Sequence, residues 1–424
     1  MSETPHPASK WWALAGVCLG VLMVTLDGSI VSIAVPTFLR VFGCGLADVE
    51  WVMIGYLLVI VVFLLPVAAV ARRFGQKRVF LFGLVLFATG SLLCGLAPGI
   101  GWLIAFRLVQ GAGAVCMTAL MSSIVIGTFP KDHLGQALGI VTAAATLGAS
   151  LGPTIGGFLI TWAGWRAIFL VNLPLGLAAC LLIARSLPQD LPAADLPRVT
   201  LRMRLTLLRN ATLSIGLLGR LIAMVVNAAY LFLTPLLLEN ALKYSTFRSG
   251  ILLAVAPVLT GIISPFFGGL ADKFGTVRFN LAGLGCMLLA TFTMATFSAA
   301  MTEWEFMAKV ALWGLGLGIF NAPNNTRIMQ SVPSAKAGTV SAFFSMAIML
   351  GQMGGVILAG ALFNAFAFPE SSSHSSTSIH LLPPALIASS VAQSLLLFGL
   401  PIACLLLLNI VQASREKRRV LLPG

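Results

Sequence analysis

Apolar residues form long runs along this chain, and short polar segments separate the runs. A helix needs about 20 apolar residues to cross the hydrocarbon core of a bilayer. Twelve runs reach about that length, near residues 12–37, 51–71, 79–97, 101–126, 136–161, 167–187, 211–236, 249–271, 279–300, 304–327, 338–363 and 386–412. The pattern predicts an all-α membrane protein with twelve transmembrane helices.

The first run follows Lys10, as the apolar part of a secretory signal peptide would follow its basic end. It is too long for such a region, contains Asp27 and lacks a small-residue cleavage site. We therefore interpret it as the first transmembrane helix.

The polar, basic segment 188–210 divides the runs into six and six. A repeat is indicated by identical residues spaced 200 apart, between the second and third run of each half. The pairs are Ala71/Ala271, Phe74/Phe274, Gly75/Gly275, Arg78/Arg278, Leu81/Leu281, Gly83/Gly283 and Leu84/Leu284. We predict an N-terminal six-helix bundle over residues 1–187, a cytoplasmic central loop over 188–210, and a C-terminal six-helix bundle with a cytoplasmic tail over 211–424.

The basic residues predict the orientation. If the N-terminus is cytoplasmic, 19 of the 26 Lys and Arg residues fall on the cytoplasmic side and five on the opposite side. The remaining two, Arg107 and Arg220, lie within runs. Because cytoplasmic loops are enriched in Lys and Arg, we expect both termini to be cytoplasmic.

Composition also predicts a lipid environment. Hydrophobic residues make up 58% of the 424 and charged residues only 9%, whereas soluble domains carry roughly 25% charged residues. The net charge of +13 resides mostly in short loops, as is usual for membrane proteins. We therefore expect the lipid bilayer as a partner, and no nucleic acid.

Motifs for enzyme or cofactor chemistry are missing from the sequence. The seven cysteines have no paired spacing and the four histidines lie outside the runs, so we expect no disulfide framework, haem or metal. No P-loop, H-E-x-x-H or G-x-S-x-G motif occurs. We expect no enzyme activity and no cofactor, and any active transport must then use an ion gradient.

Asp27 lies about 22 Å along the first run, and Arg107 lies about 9 Å below the outer end of the fourth. Both fall in the outer half of the membrane, where they can pair. A conformational change that breaks the pair would load and unload a proton, or Asp27 would serve as counter-ion for a cationic substrate. The alternatives are a static ion pair and a packing acid satisfied by its neighbours.

Arg220 lies about 10 residues into the seventh run, where it can face a cavity or bond to backbone carbonyls. Gln110, Asn227 and Asn321 are candidate substrate-cavity residues, and helix packing is the alternative for each.

The fifth run contains Gly148, Gly152, Pro153, Gly156 and Gly157. Small residues four apart let another helix approach closely, and Pro153 removes a helix hydrogen bond and allows a bend. We interpret these residues as a moving helix interface, with tight packing alone as the alternative.

The loops 68–78 and 268–278 are short, basic and contain glycine. Asp272 can accept hydrogen bonds from a helix N-terminus or pair with a basic residue. We take Gly75, Asp272 and Gly275 as candidate gating residues, although an ordinary solvated loop would look similar.

Several segments together resemble the major facilitator superfamily, and within it the drug:proton antiporters usually counted with fourteen spans. They are residues 26–36, Trp51 with Tyr56, and residues 107–113, 148–157 and 165–174. The resemblance covers nearly the whole chain and implies the major facilitator fold of two six-helix bundles. It also implies proton transfer at the fourth-run motif and antiport at the fifth-run motif.

The chain departs from that group in two respects. It has no room for two extra helices between the halves, so it resembles a twelve-span variant. In the first-half loop, Ala68, Val70 and Arg72 replace the Gly, Leu and Asp of the family motif, whereas the second copy at 268–275 is intact. The family's carboxylate is thought to latch the outward-open state, so either gating relies on Asp272 or the conformational balance is altered.

We therefore predict a secondary active transporter of the bacterial inner membrane, functional as a monomer. It would exchange protons for drug-like or amphipathic small molecules by alternating access, with Asp27 as the proton site. One alternative is a sugar or organic-anion transporter in which Arg107 and Arg220 bind an anion. A non-transporting membrane scaffold or sensor is the alternative of a different class.

Overall fold

The computed structural model describes residues 7–187, 207–332, 337–368 and 379–421. Helices joined by short turns account for these residues, and the described part of the chain contains no β-strand. Residues 188–206 of the predicted central loop 188–210, and residues 422–424 at the end of the predicted tail, lie outside the described residues.

The first half contains eight helices among its described residues. They are α1 (Pro7–Ile33), α2 (Val35–Phe42), α3 (Leu46–Phe74), α4 (Gln76–Gly95), α5 (Ile100–Thr128), α6 (Lys131–Ala163), α7 (Ala167–Leu170) and α8 (Asn172–Ser186). Six spans lie among these eight helices, because α2 is too short to cross a bilayer and α7 and α8 together form one span, Ala167–Ser186.

The described residues of the second half form seven helices. They are α9 (Ala211–Leu236), α10 (Thr246–Phe274), α11 (Thr276–Met294), α12 (Glu303–Gln330), α13 (Ala337–Ala367), α14 (Pro384–Leu397) and α15 (Gly399–Leu421). A π-helical turn, Leu237–Ala241, extends α9, and α14 and α15 together form the last span, Pro384–Ser414.

The prediction of twelve spans is confirmed. Among the described residues, 12 helical segments are long and apolar enough to cross a membrane, from Lys10–Ile33 to Pro384–Ser414. Some bounds differ from the apolar runs, because apolarity alone does not mark where a helix stops. The first run was expected to continue to residue 37, but α1 ends at Ile33 and α2 begins at Val35. Pro36 lies in the first turn of α2, where a proline costs no hydrogen bond.

The described residues form two compact units. The first comprises Met1–Leu196 with the short segments Tyr244–Ile251 and Ser376–His380, and the second comprises the remainder, as far as these ranges are described. In the first unit, α1 packs along α6, and α4 along α5. In the second unit, α9 packs along α13, and α11 along α12. The same pairing order within each unit is what an internal repeat produces.

The two repeated loops have the same backbone conformation. Gly75 and Gly275 each adopt φ 91° and ψ 139°, and each amide donates to the carbonyl four residues earlier, at Ala71 and Ala271. A positive φ of this size favours glycine over other residues. The glycine in each copy is therefore required by the sharp turn between two antiparallel helices.

Candidate functional site

Asp27 on α1 and Arg107 on α5 form an ion pair inside the first unit. Arg107 Nη1 lies 2.5 Å from Asp27 Oδ2, and the two side chains are 0% and 1% exposed. Removing two charges from water is costly unless they are paired and fully hydrogen-bonded. The surrounding polar groups therefore decide whether this pair is stable.

Gln110 connects the two charges. Its amide Nε2 donates to Asp27 Oδ1 at 2.8 Å, and its Oε1 accepts from Arg107 Nη1 at 2.6 Å. Gln110 follows Arg107 by one helical turn on α5, so the spacing of three residues places both side chains on one face. The predicted cavity residue Gln110 thus belongs to the Asp27–Arg107 site.

Two further polar residues complete the cluster. Asn172, the first residue of α8, donates through Nδ2 to Asp27 Oδ1 and to Ser91 Oγ, each at 3.2 Å. Ser91 on α4 also accepts from Gln110 Nε2 at 2.6 Å. Asn172 was part of the sixth-run resemblance but was not assigned to the site, and Ser91 gave no signal in the sequence. We call Asp27, Arg107, Gln110, Asn172 and Ser91 the buried polar cluster.

Aromatic rings and a carbonyl hold the Arg107 guanidinium from other sides. Its Nε donates to the Val52 carbonyl at 3.1 Å. Its Cζ lies 4.2 Å from the centroid of the Tyr56 ring and 5.9 Å from that of Phe169. Cation–π contact stabilises a desolvated guanidinium, so Arg107 is supported by charge, hydrogen bonds and rings together.

Glycines bring the helices of the cluster close enough for these bonds. A Cβ added to Gly90 on α4 would lie 2.7 Å from the Gln110 backbone, and one added to Gly111 on α5 would lie 2.8 Å from the Tyr56 carbonyl oxygen. Contacts of this length are too short for any side chain, so α4, α5 and α3 meet backbone to backbone here.

The buried polar cluster is sealed from solvent and electrically balanced. All five of its side chains are 1% exposed or less, and its one carboxylate faces its one guanidinium. The charges of Asp27 and Arg107 therefore compensate each other inside the cluster.

Three of the four predicted glycines of α6 face α1. Gly148 lies against Thr25 and Leu22, Gly152 against Ser29, and Gly156 against Ile30. The Ser29 hydroxyl donates to the Gly148 carbonyl at 3.3 Å. This face therefore runs directly beside the helix that carries Asp27.

Pro153 and Gly157 face the segment Tyr244–Ile251, which belongs to the same compact unit. Next to Pro153, the Thr154 hydroxyl donates to the Gly250 carbonyl at 3.2 Å, and a Cβ on Gly157 would lie 2.5 Å from the Thr246 carbonyl oxygen. The helix continues from Lys131 to Ala163 through Pro153.

Arg220 lies in a different environment, inside the second unit. Its Nη1 donates to Asn321 Oδ1 on α12, and its Cζ lies 5.0 Å from the centroid of the Phe344 ring on α13. From the sequence, Asn321 had no evident partner and backbone carbonyls were the expected acceptors for Arg220, but the structure pairs the two side chains across 101 positions. Arg220 and Asn321 thus form a second polar site.

Asn227 lies two helical turns beyond Arg220 on α9. Its Oδ1 accepts from Trp313 Nε1 on α12 at 3.4 Å. Gly216, one helical turn before Arg220 on α9, accepts a hydrogen bond at its carbonyl from the Asn324 side-chain amide at 3.1 Å. Polar contacts between α9 and α12 therefore continue along both helices.

Asp272, the remaining gating candidate, is exposed near the end of α10. No hydrogen bond or ion pair joins it to another residue in the described part of the chain. Arg72, its counterpart in the first half, is exposed as well. The described residues also contain no group of three or more His, Cys, Asp or Glu residues placed to hold a metal ion.

Known proteins resemble this chain along most of its length. The Major Facilitator Superfamily model matches residues 17–356. The riboflavin transporter RibZ of Clostridioides difficile is 29% identical over 384 residues, which cover 79% of this chain and 84% of that protein. The multidrug resistance protein Stp of Mycobacterium tuberculosis is 30% identical over 404 residues, which cover 82% of this chain and 75% of that protein.

Among solved structures, a bacterial homolog of the human lysosomal transporter Spinster has a TM-score of 0.77 at 17% identity, covering 97% of this chain and 98% of that chain. At this identity, the likeness concerns the fold alone. The family match over most of the sequence agrees with the twelve apolar helices. The chain therefore belongs to the major facilitator superfamily, a family of multi-pass membrane transporters.

Proposed function

We propose that this transporter is a proton-coupled antiporter that exports drug-like or amphipathic small molecules by alternating access. The observation that carries the proposal is the Asp27–Arg107 pair, a fully buried carboxylate bound to a fully buried guanidinium within the transmembrane helices. Ionisable groups at such depth are costly and mark ion or substrate pathways.

The coupling step would be the exchange of a proton for the ion pair at Asp27. Protonation removes the negative charge that faces Arg107, and the guanidinium then retains Gln110, the Val52 carbonyl and the Tyr56 ring. Release of the proton restores the pair at 2.5 Å. Since the cluster joins α1, α4, α5 and α8, the two charge states favour different packing of these helices.

The small-residue face of α6 would allow α1 to move during this exchange. Gly148, Gly152 and Gly156 carry no side chain that interlocks with α1, so the two helices can slide with few rotamer changes. Gly75, Asp272 and Gly275 would act at the loops, where Arg72 leaves the first half without the family's carboxylate. Gating by the loop carboxylate would then fall to Asp272 alone.

The relatives support a small organic substrate. One is a riboflavin transporter and another a multidrug resistance protein, so flat or amphipathic molecules are the first candidates for this chain. We propose that it works as a monomer in a bacterial inner membrane, and the distribution of its basic residues favours cytoplasmic termini. A sugar or organic-anion transporter is the second candidate, and Arg220, which has no carboxylate partner among the described residues, favours it.

Proton movement in proteoliposomes tests the proposal. The purified chain is reconstituted with a pH-sensitive dye inside, and riboflavin, fluorescein and tetramethylrhodamine ethyl ester are added in turn. The wild type is expected to move protons in response to at least one of them, and an imposed pH gradient should drive accumulation of the same compound. Asp27→Asn should abolish both responses, because the amide cannot release a proton.

Asp48→Asn is the matched control for Asp27→Asn. Asp48 is an exposed carboxylate in the first turn of α3 that accepts from the Gly45 amide, and the side-chain oxygen of asparagine can accept the same hydrogen bond. The control should couple like the wild type. Full coupling in Asp27→Asn would refute the proton assignment, and a wild type that moves none of the three compounds would refute the proposed substrate class.

A further inference from the structure

Arg220 is a cation in the middle of a transmembrane helix, and no carboxylate pairs with it among the described residues. It lies about 14 Å from the start of α9. Its only hydrogen bond in the described part of the chain goes to the neutral Asn321 Oδ1, and its buried Nε has no partner there. Charged residues inside membranes normally pair with one another or with backbone carbonyls, so Arg220 departs from that rule within these residues.

Arg107 shows how the same chain surrounds an arginine whose acceptors are supplied by the protein itself. That guanidinium has a carboxylate at 2.5 Å, an amide oxygen at 2.6 Å and a carbonyl at 3.1 Å. Arg220 has one amide oxygen and the Phe344 ring. A cation–π contact offsets only part of the cost of an unpaired intramembrane arginine.

The Arg220 guanidinium can donate further hydrogen bonds. A guanidinium has five N–H donors in a rigid fork, and Arg220 uses one of them within the described residues. Arg220, Asn321 and Phe344 are all partly exposed, whereas Asp27 and Arg107 are sealed. An oxyanion can therefore reach the Arg220 fork without first displacing a protein carboxylate.

The surroundings of Arg220 indicate what else the ligand carries. The flat Phe344 ring lies on one side of the guanidinium. Asn227 is seven residues further along the same face of α9, about 10 Å away, and it too is partly exposed and bonded to Trp313. A ligand with a charged end at Arg220 and a flat apolar body along α9 would match this spacing.

We propose that Arg220, Asn321 and Phe344 form a subsite for the negatively charged group of the substrate. The chemical class is an aromatic or amphipathic molecule with a carboxylate, sulfonate or phosphate, and the subsite makes the transporter prefer such anions to cations of the same shape. The selectivity for transported molecules rests on the proposed transport function, but binding at the subsite is measurable without transport.

Equilibrium binding to the full chain in nanodiscs tests the subsite. The probes are fluorescein, which is anionic at pH 8, and tetramethylrhodamine ethyl ester, a cation built on the same tricyclic ring system. The nanodiscs contain only phosphatidylcholine, so no anionic lipid competes. The wild type should bind fluorescein at least about tenfold more tightly than the rhodamine, the ratio that one charge-assisted hydrogen bond supplies.

Three variants separate charge from geometry. R220Q should lose about tenfold or more in fluorescein affinity with little change for the rhodamine. R220K should fall between them, because lysine retains the charge but not the planar fork. R209Q is the matched control, since Arg209 is an exposed arginine just before the same helix, and it should bind like the wild type.

Several results would overturn the subsite. One is that R220Q binds fluorescein as tightly as the wild type does, and another is that the wild type shows no saturable fluorescein binding. A third is that phosphatidylglycerol, when it replaces part of the lipid, displaces fluorescein, which would assign the site to a lipid headgroup. If R220Q does not fold, R220K and N321A decide, and unchanged fluorescein affinity in both counts against the subsite. D27N should keep fluorescein binding within about twofold, so a failure of proton coupling and a failure of the subsite are distinguishable.

Discussion

Removing Arg107 while Asp27 remains should be among the most destabilising single changes in the first unit. In Arg107→Leu, the carboxylate stays 0% exposed and loses its partner at 2.5 Å. Breaking a buried ion pair in this way typically costs about 3–5 kcal/mol. Because the Gln110 and Asn172 amides still donate to Asp27 Oδ1, we expect a loss near the lower end, about 3 kcal/mol.

The double variant Asp27→Asn/Arg107→Leu separates the charge effect from the loss of packing. It removes both charges, while the asparagine oxygen can still accept from Gln110 and Asn172. Replacing a whole buried pair is often nearly neutral for stability. The double variant should therefore be more stable than Arg107→Leu, with a coupling free energy of about 2 kcal/mol.

Thermal unfolding of the purified variants in detergent measures this difference. For a unit of about 200 residues, 1 kcal/mol corresponds to roughly 2–4 °C in Tm, so Arg107→Leu should melt about 6–12 °C below the wild type. Arg78→Leu, which removes an exposed arginine, is the control and should change Tm little. A double variant that melts at or below the temperature of Arg107→Leu would refute the reasoning, because an unpaired charge would then not be the cause.

Two further predictions concern helix packing and the loop before α3. Gly156→Ala should destabilise the first unit by about 1–3 kcal/mol, because the new methyl would lie 2.6 Å from Ile30 Cγ1. The control is Gly139→Ala on the same helix, whose methyl meets nothing within 4 Å and should be neutral or slightly stabilising. Equal melting temperatures for the two variants would contradict this. Burial, with a smaller contribution from the Asp48 charge, raises the pKa of the Cys44 thiol to about 11. In a variant whose only cysteine is Cys44, the rate of maleimide labelling should therefore increase about tenfold per pH unit from pH 7 to 9. A labelling rate that levels off below pH 9 would show a more acidic thiol.

The fold was predictable from the sequence because the bilayer imposes a length on every apolar run. Twelve runs gave twelve spans, and the resemblance at residues 26–36 and 148–157 pointed to the superfamily that the comparisons show. The ends of helices were less predictable. Ile33 is as apolar as the residues around it, and a break there depends on Pro36 and on how α2 packs.

Three of the five residues in the buried polar cluster could be found from the sequence. Asp27 and Arg107 stand out because ionisable residues are rare inside apolar runs, and Gln110 follows Arg107 by one turn. Ser91 does not stand out, since serine is common in transmembrane helices and often serves only packing. Its role follows from the approach of α4 to α5 at Gly90, which is a property of the assembled helices.

The second polar site, Arg220 with Asn321, also could not be assembled from the sequence. The sequence placed Arg220 inside a span but could not connect it to Asn321, because the faces that two helices present to each other depend on their rotation. The pair became visible only when α9 and α12 were placed side by side. A single sequence identifies a charge that needs an explanation, and the packing of the helices then supplies its neighbours.

The complete burial of Asp27 also limits how fast its carboxyl group can exchange with water. With no exposed surface, the carboxylate can exchange with water only after α1 and its neighbours separate, and collective helix motions of this kind take microseconds to milliseconds. Proton transfer between a carboxyl group and a water molecule in contact is far faster than these helix motions. Any reaction of Asp27 with solvent will therefore follow the opening rate of the helices, and viscosity or membrane thickness should change it more than buffer strength does.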